Sequence, residues 1–182
     1  MDQGVAAILA AGVAGAAGAL GAVAGARAAG RAARGQAAHE QALRARGAAI
    51  EAIDTACNAF HQKGYVAIQA VVEFEAAVMD GHDGSSQERE FSVSISAALM
   101  ATHEVRWCCA ELEEPARQWC DAIQKIGQAI RALRATPDAT TDPASPTHHR
   151  RHAAWRHEKE VLHAFQRRVQ QVKESTSASF LT

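Results

Sequence analysis

The chain has 182 residues and a formal net charge of −1. That length allows one domain with a real core plus an accessory segment, and the balanced charge argues against a nucleic-acid partner held by bulk electrostatics. Aromatic residues make up only 5%, whereas alanine supplies roughly a quarter of the chain, far above average usage. This mixture favours helices over sheets, which draw on β-branched and aromatic residues.

The N-terminal stretch GVAAILAAGVAGAAGALGAVAGA, from Gly4 to Ala26, carries no charged side chain. As a helix it would run about 34 Å, enough to cross a hydrocarbon core of about 30 Å. Its strongly apolar residues are few: Val5, Ile8, Leu9, Val13, Leu20 and Val23. At about 100° per residue they share one side of the helix. Gly15, Gly18, Gly21 and Gly25 fall on the opposite side and include a GxxxG pair, the pattern by which two helix backbones approach closely in lipid. The same pattern also arises from Ala/Gly bias alone. Ala24-Gly25-Ala26 resembles a signal-peptidase site, but the basic N-terminal region of a signal peptide is missing.

Positive charge follows the stretch instead. Arg27, Arg31, Arg34, Arg44 and Arg46 stand against Glu40. The positive-inside rule then predicts an outside N-terminus and a cytoplasmic body, a single pass through the cell membrane. Arg27, Arg31 and Arg34 share one helix face, where they would meet anionic headgroups.

Beyond the arginines a heptad appears. Leu43, Ile50, Cys57, Gly64, Val71 and Val78 form one set of positions; Arg46, Ile53, Phe60, Ala67 and Phe74 form the other. The spacing predicts a long helix with one apolar seam, in which Gly64 marks either a close approach or a kink. Turn formers from Asp80 to Ser86 end it, and Ser86 is the expected cap of the next helix. The second seam reads Phe91, Ile95, Ala98, Thr102, Val105, Cys109, Leu112, Ala116, Trp119, Ile123, Ile126, Ile130 and Leu133. Spacings of three and four continue throughout, so one helix of about 45 residues is expected, with Pro115 either kinking it or starting a new one. A Pro-rich loop follows. Ser145 and Pro146 then suit a cap and a first-turn proline, and Trp155, Leu162, Phe165, Val169 and Val172 mark the inner face of a third helix.

The expected fold is all-α: an N-terminal transmembrane helix followed by an elongated antiparallel three-helix, coiled-coil-like bundle. Its parts are a transmembrane helix over 1–26, a basic juxtamembrane helix over 27–48, a helical hairpin over 49–135, a loop over 136–146, a third helix over 147–176 and a tail over 177–182.

The run GVAGAAGALGAVAGARAAGRAARGQAAHEQALRARGAAIEAIDTACNAF resembles small actinobacterial single-span membrane proteins. Some of these look like the KilB-type proteins of Streptomyces plasmids. The resemblance covers residues 4–60, implies a membrane-associated role in plasmid spread between hyphae, and carries over no site residue.

Motifs for chemistry are sparse. The segment HHRRHAAWRHEKEVLH holds His148, His149, His152, His157 and His163. His148 with His152, or His149 with His152, has the helical spacing for two ligands to one metal ion. Arg150 and Arg151 oppose a cation there, so a polar helix start or a basic patch is the simpler reading. From Thr147 to Thr182 seven Lys/Arg face three Glu, a net of +4. His103-Glu104 lacks the second histidine of HExxH, and DGHDGSSQEREF lacks the bidentate glutamate of a calcium loop. Cys57, Cys108, Cys109 and Cys120 show no CxxC spacing and read as reduced thiols. Trp107 and Trp119 read as packing or interfacial residues.

The expected function is a membrane-anchored interaction scaffold, self-associating or bound to another membrane protein and to lipid, with no catalysis, no cofactor and no nucleic acid. Two other classes remain open: a pore-forming, membrane-perturbing effector, and a soluble helical metal-binding protein built on His148–His163.

Overall fold

A computed structural model describes residues 3–136 and 142–178, with side chains from Gly25 onward apart from that of Arg27. The described residues are all-helical. Helix α1 takes Gln3–Met79, α2 Ser85–Cys108, a 3-10 turn Ala110–Leu112, α3 Glu113–Arg134 and α4 Pro146–Ala178. By internal packing the chain divides into two units, Met1–Ala45 and Arg46–Thr182.

In the first unit the described side chains are nearly all exposed. Alanine's propensity carries the helix there, with one exposed Glu40–Arg44 pair at 3.6 Å. Gly25, Gly30 and Gly35 have nothing within 4 Å of where a Cβ would stand. Among the described residues no helix is long and apolar enough to cross a membrane. The predicted span is outside the described side chains except for Gly25 and Ala26, and Gly15, Gly18, Gly21 and Arg27 lie outside them as well.

The second unit is a bundle of four helical segments in which each neighbour runs antiparallel. Ion pairs at opposite ends fix the directions. Lys63 of α1 meets Glu104 of α2, Glu88 of α2 meets Arg131 and Arg134 of α3, and α1 meets α4 through Asp54–Lys173 and Glu75–Arg151. The core is the sum of the predicted seams. Ile53, Phe60, Val71 and Phe74 of α1 pack with Phe91, Ile95 and Val105 of α2, the isoleucines of α3, and Phe165 of α4. Above Ile53 the α1 seam stops being buried: Ile50 is half-buried and Leu43 exposed.

The second arm departs from expectation. It is not one helix of about 45 residues but two that fold back on each other, so the three-helix body becomes four-helix. The reversal lies at Cys109, which is extended with φ −158° and ψ 105°. Its N–H still bonds the Val105 carbonyl, and the Leu112 N–H bonds Cys109. Pro115 follows in the first turn of α3, where a missing N–H leaves no intrahelical bond broken. Glu113 and Glu114 sit at the positive end of the α3 dipole, and Arg131 and Arg134 at its negative end.

Local signals explain the other ends. Met79 is followed by a Schellman turn: His82 N–H bonds Ala77 O, Gly81 N–H bonds Val78 O, and Gly81 has φ 78°. The α2 cap is Gly84 rather than Ser86, with no side-chain cap bond. The expected cap of α4 is present, with the His148 N–H donating to Ser145 Oγ at 3.2 Å.

Gly64 is a close approach and not a kink. A Cβ there would stand 2.3 Å from Cη2 and Cζ3 of Trp119. Gly127 stands in the same relation to the ring of Phe91. Gly64→Ala should therefore cost about 1–3 kcal/mol by overpacking, whereas Gly30→Ala and Gly35→Ala should gain about 0.5–1 kcal/mol each from helix propensity. Urea denaturation followed by circular dichroism measures both, and a neutral Gly64→Ala would refute the close approach.

Candidate functional site

Three polar side chains inside the bundle, Glu158, Glu75 and Arg151, are paired across helices. Glu158, only 3% exposed, accepts a hydrogen bond from Trp119 Nε1 at 2.7 Å. Glu75 accepts from Trp155 Nε1 at 2.8 Å and pairs with Arg151 at 3.2 Å. The Arg151 guanidinium also reaches Met79 Sδ and His152, while its Nε is buried without a hydrogen-bond partner. These groups hold α4 in place and face protein rather than solvent.

His61 stands among the rings of Trp119, Phe165 and Phe60, with centroids 5.3–6.4 Å away. Its Nε2 is buried and makes no hydrogen bond. Burial lowers its pKa below the usual histidine value, because the imidazolium would lose its water.

The histidine-rich start of α4 does not assemble a metal centre. His148 is buried at the cap, His149 is exposed, and the His148 and His152 rings are 6.4 Å apart. His152 Nε2 lies 2.9 Å from the Arg151 guanidinium, which can only donate, so that lone pair is occupied. Among the described residues no group of three or more His, Cys, Asp or Glu converges as metal ligands.

All four cysteines are free thiols. Burial, helped by the nearby Asp54 carboxylate, pushes Cys57 up to about 11, and burial pushes Cys120 up to about 12. Neither is a thiolate near neutral pH. Cys108 is exposed. It lines an open groove of about 520 Å³ together with Ala48, Ala52, Thr55, Ala59 and Glu104.

The outer surface of α2 carries three large apolar side chains, of which the sequence singles out Trp107 but not Val93 or Met100. Val93 is 67% exposed, Met100 68% and Trp107 88%. They stand seven residues apart on α2, on the side opposite Phe91, Ile95, Ala98, Thr102 and Val105. The two tryptophans thus part company: Trp119 is fully buried and Trp107 almost fully exposed. The missed signal was a second, weaker heptad out of phase with the core seam. Arg31 and Arg34 are exposed, and nothing lies within 4 Å of where a Cβ would stand at Gly25.

Two measurements follow from these positions. His61 holds its proton less tightly folded than unfolded, so its contribution to stability is full above about pH 6.5 and is lost as pH falls through the lowered folded value. Urea midpoints should fall from pH 7.5 to 5.5, and His61→Phe should flatten that slope; an unchanged slope would count against the buried neutral ring. Thiol labelling of the native chain should modify Cys108 first, with Cys57 and Cys120 reacting only at the rate of unfolding.

No family model matches this chain, and neither a curated protein nor a solved structure matches it.

Proposed function

We propose that the chain is a membrane-anchored helical scaffold that works by protein–protein contact and not by catalysis. Its N-terminus lies outside the cell membrane and its four-helix body on the cytoplasmic side. The observation that carries this reading is the charge pattern of the N-terminal segment. Twenty-three uncharged residues, Gly4–Ala26, are followed on one side only by Arg27, Arg31, Arg34, Arg44 and Arg46. Gly15, Gly18, Gly21 and Gly25 supply a face on which two such helices pack, and Arg27, Arg31 and Arg34 engage anionic lipid. The partners are lipid and a second copy or another membrane protein. On the resemblance to KilB-type proteins alone, the process is plasmid spread.

The interior of the body supports a scaffold role. Glu158, Glu75 and Arg151 are each engaged with a neighbouring helix. Exposed apolar side chains, among them Val93, Met100 and Trp107 of α2 and Tyr65, Val66 and Val72 of α1, are available to meet a partner.

Carbonate extraction of membranes tests the anchor, comparing the full chain with a deletion of 4–26. The full chain should remain in the pellet and the deletion should become soluble. If both are soluble at full size, the anchor is refuted. Ion leakage on expression would move the reading from scaffold to pore.

A further inference from the structure

We infer that the groove between α3 and the first turns of α4 binds a small soluble phosphate monoester, whose dianionic head sits on Lys125 and Arg150 and whose organic part lies on alanine. The site belongs to the four-helix body and does not depend on the anchor proposed above.

The register of the two helices builds the groove. Trp119 of α3 and Glu158 of α4 are hydrogen-bonded at 2.7 Å, and the helices run antiparallel. Lys125 lies as far beyond Trp119 on α3 as His152 lies before Glu158 on α4, so it stands at about the level of His152. On α4, Thr147, Arg150, Ala154 and His157 recur at spacings of three and four and share one face. Lys125 therefore meets α4 between Arg150 and His157, which are about 10 Å apart along the axis. Ala129, Ala132 and Ala154 take half-buried positions between the helices, and their small side chains leave a hollow of about 450 Å³. That is the size of a site for a small organic molecule.

Charge selects the ligand. Elsewhere on the bundle Lys63, Arg131, Arg168 and Lys173 are each matched by a carboxylate. Lys125, Arg150 and His157 line the groove with no Asp or Glu beside them in its wall. Among the described residues none of the three is in an ion pair. Glu158, the neighbour of His157, is turned inward onto Trp119. Asp121, one turn before Lys125, is exposed and does not line the groove. The negative end of the α3 dipole and the positive end of the α4 dipole meet here and offset one another, so the side chains set the potential. Lys125 and Arg150 supply two formal positive charges. A phosphate monoester, with about −1.5 to −2 near neutral pH, matches them. The Arg150 guanidinium offers a planar fork to two phosphate oxygens, and Lys125 a compact ammonium. Thr147, Gln128 and His157 add further donors at the edge.

The test uses the full chain, in detergent if it fractionates with membranes and in buffer if it does not, free of phosphate and sulfate. Titration calorimetry with phenyl phosphate should show one equivalent bound per chain. Inorganic phosphate should bind more weakly, because it leaves the alanine wall uncovered. Arg150→Ala and Lys125→Ala should each weaken phenyl phosphate about tenfold, the loss of one charge-assisted contact. Their unfolding midpoints should stay unchanged, since both side chains are exposed. Arg150→Lys should recover part of the affinity. Arg156→Ala is the control: Arg156 is exposed on α4 but lines no part of the groove, so its loss should leave binding intact. Absence of phenyl phosphate binding overturns the proposal, and so does an equal loss in Arg156→Ala, which would mean a diffuse attraction to the charge of α4. Inorganic phosphate binding as tightly as phenyl phosphate overturns the organic part of the ligand. Dihexanoyl phosphatidic acid, kept below its micelle concentration, tests the other source of the same headgroup. If it binds through Arg150 and phenyl phosphate does not, the groove serves a lipid and the soluble ligand is refuted.

Discussion

A carboxyl group taken into a protein interior needs a donor, and in this bundle that need organises three helices. Glu158 of α4 is buried, and its partner is the indole N–H of Trp119 on α3. An unpaired buried acceptor would cost about 1–3 kcal/mol, so the bond sets how the indole is turned. With the ring so turned, its far edge lies against α1 at Gly64, where no side chain fits. Phe60 meets the indole edge-on and Phe165 stacks with it, their planes 78° and 10° from its own. The placement of α1, α3 and α4 therefore converges on one side chain. The exposed ion pairs around the rim, such as Lys63–Glu104, add at most about 1 kcal/mol each.

The inner faces were legible in the sequence because burial leaves a period. From Phe91 to Leu133 every residue of the predicted seam except Cys109 is buried, and from Ile53 to Val78 the α1 seam is buried without a break. Direction was not legible. The apolar spacing runs on through Cys109 to Leu112, because the 3-10 turn places Leu112 in the core and the next helix resumes in phase. A periodicity count reports which residues face inward, not whether the chain has reversed. The hints were compositional: adjacent cysteines with weak helix propensity, two glutamates that suit a helix start, and a proline two residues inside it. The polar partnerships were equally hidden. Nothing in the spacing of Glu75, Arg151 and Trp155 pairs them, since they meet only when α4 returns along α1.

The two sides of the bundle differ in what they leave undone. Inside, charged and aromatic groups are matched helix to helix, and His61 is kept neutral by its surroundings. Outside, the helix that contributes Phe91, Ile95 and Val105 to the core also presents valine, methionine and tryptophan to solvent. An isolated apolar side chain on a surface is ordinary, but three at heptad spacing form a second seam. The start of α4 uses two of its histidines in local contacts. The His148 backbone N–H donates in the helix cap, and His152 Nε2 accepts a hydrogen bond from the Arg151 guanidinium.

The fit of Trp119 over Gly64 also has a mechanical consequence. Helices with smooth contact faces can ratchet past one another by a turn, about 5.4 Å. Here such a step of α1 would carry Phe60 or Ile68 to the place of Gly64, under a ring that leaves no room for a methyl group. The bundle accordingly holds α1 in a single axial register, like a key in a slot. Pull or thrust along that helix is transmitted to α3 and α4 as a block, and slippage requires the indole to leave its hydrogen bond first.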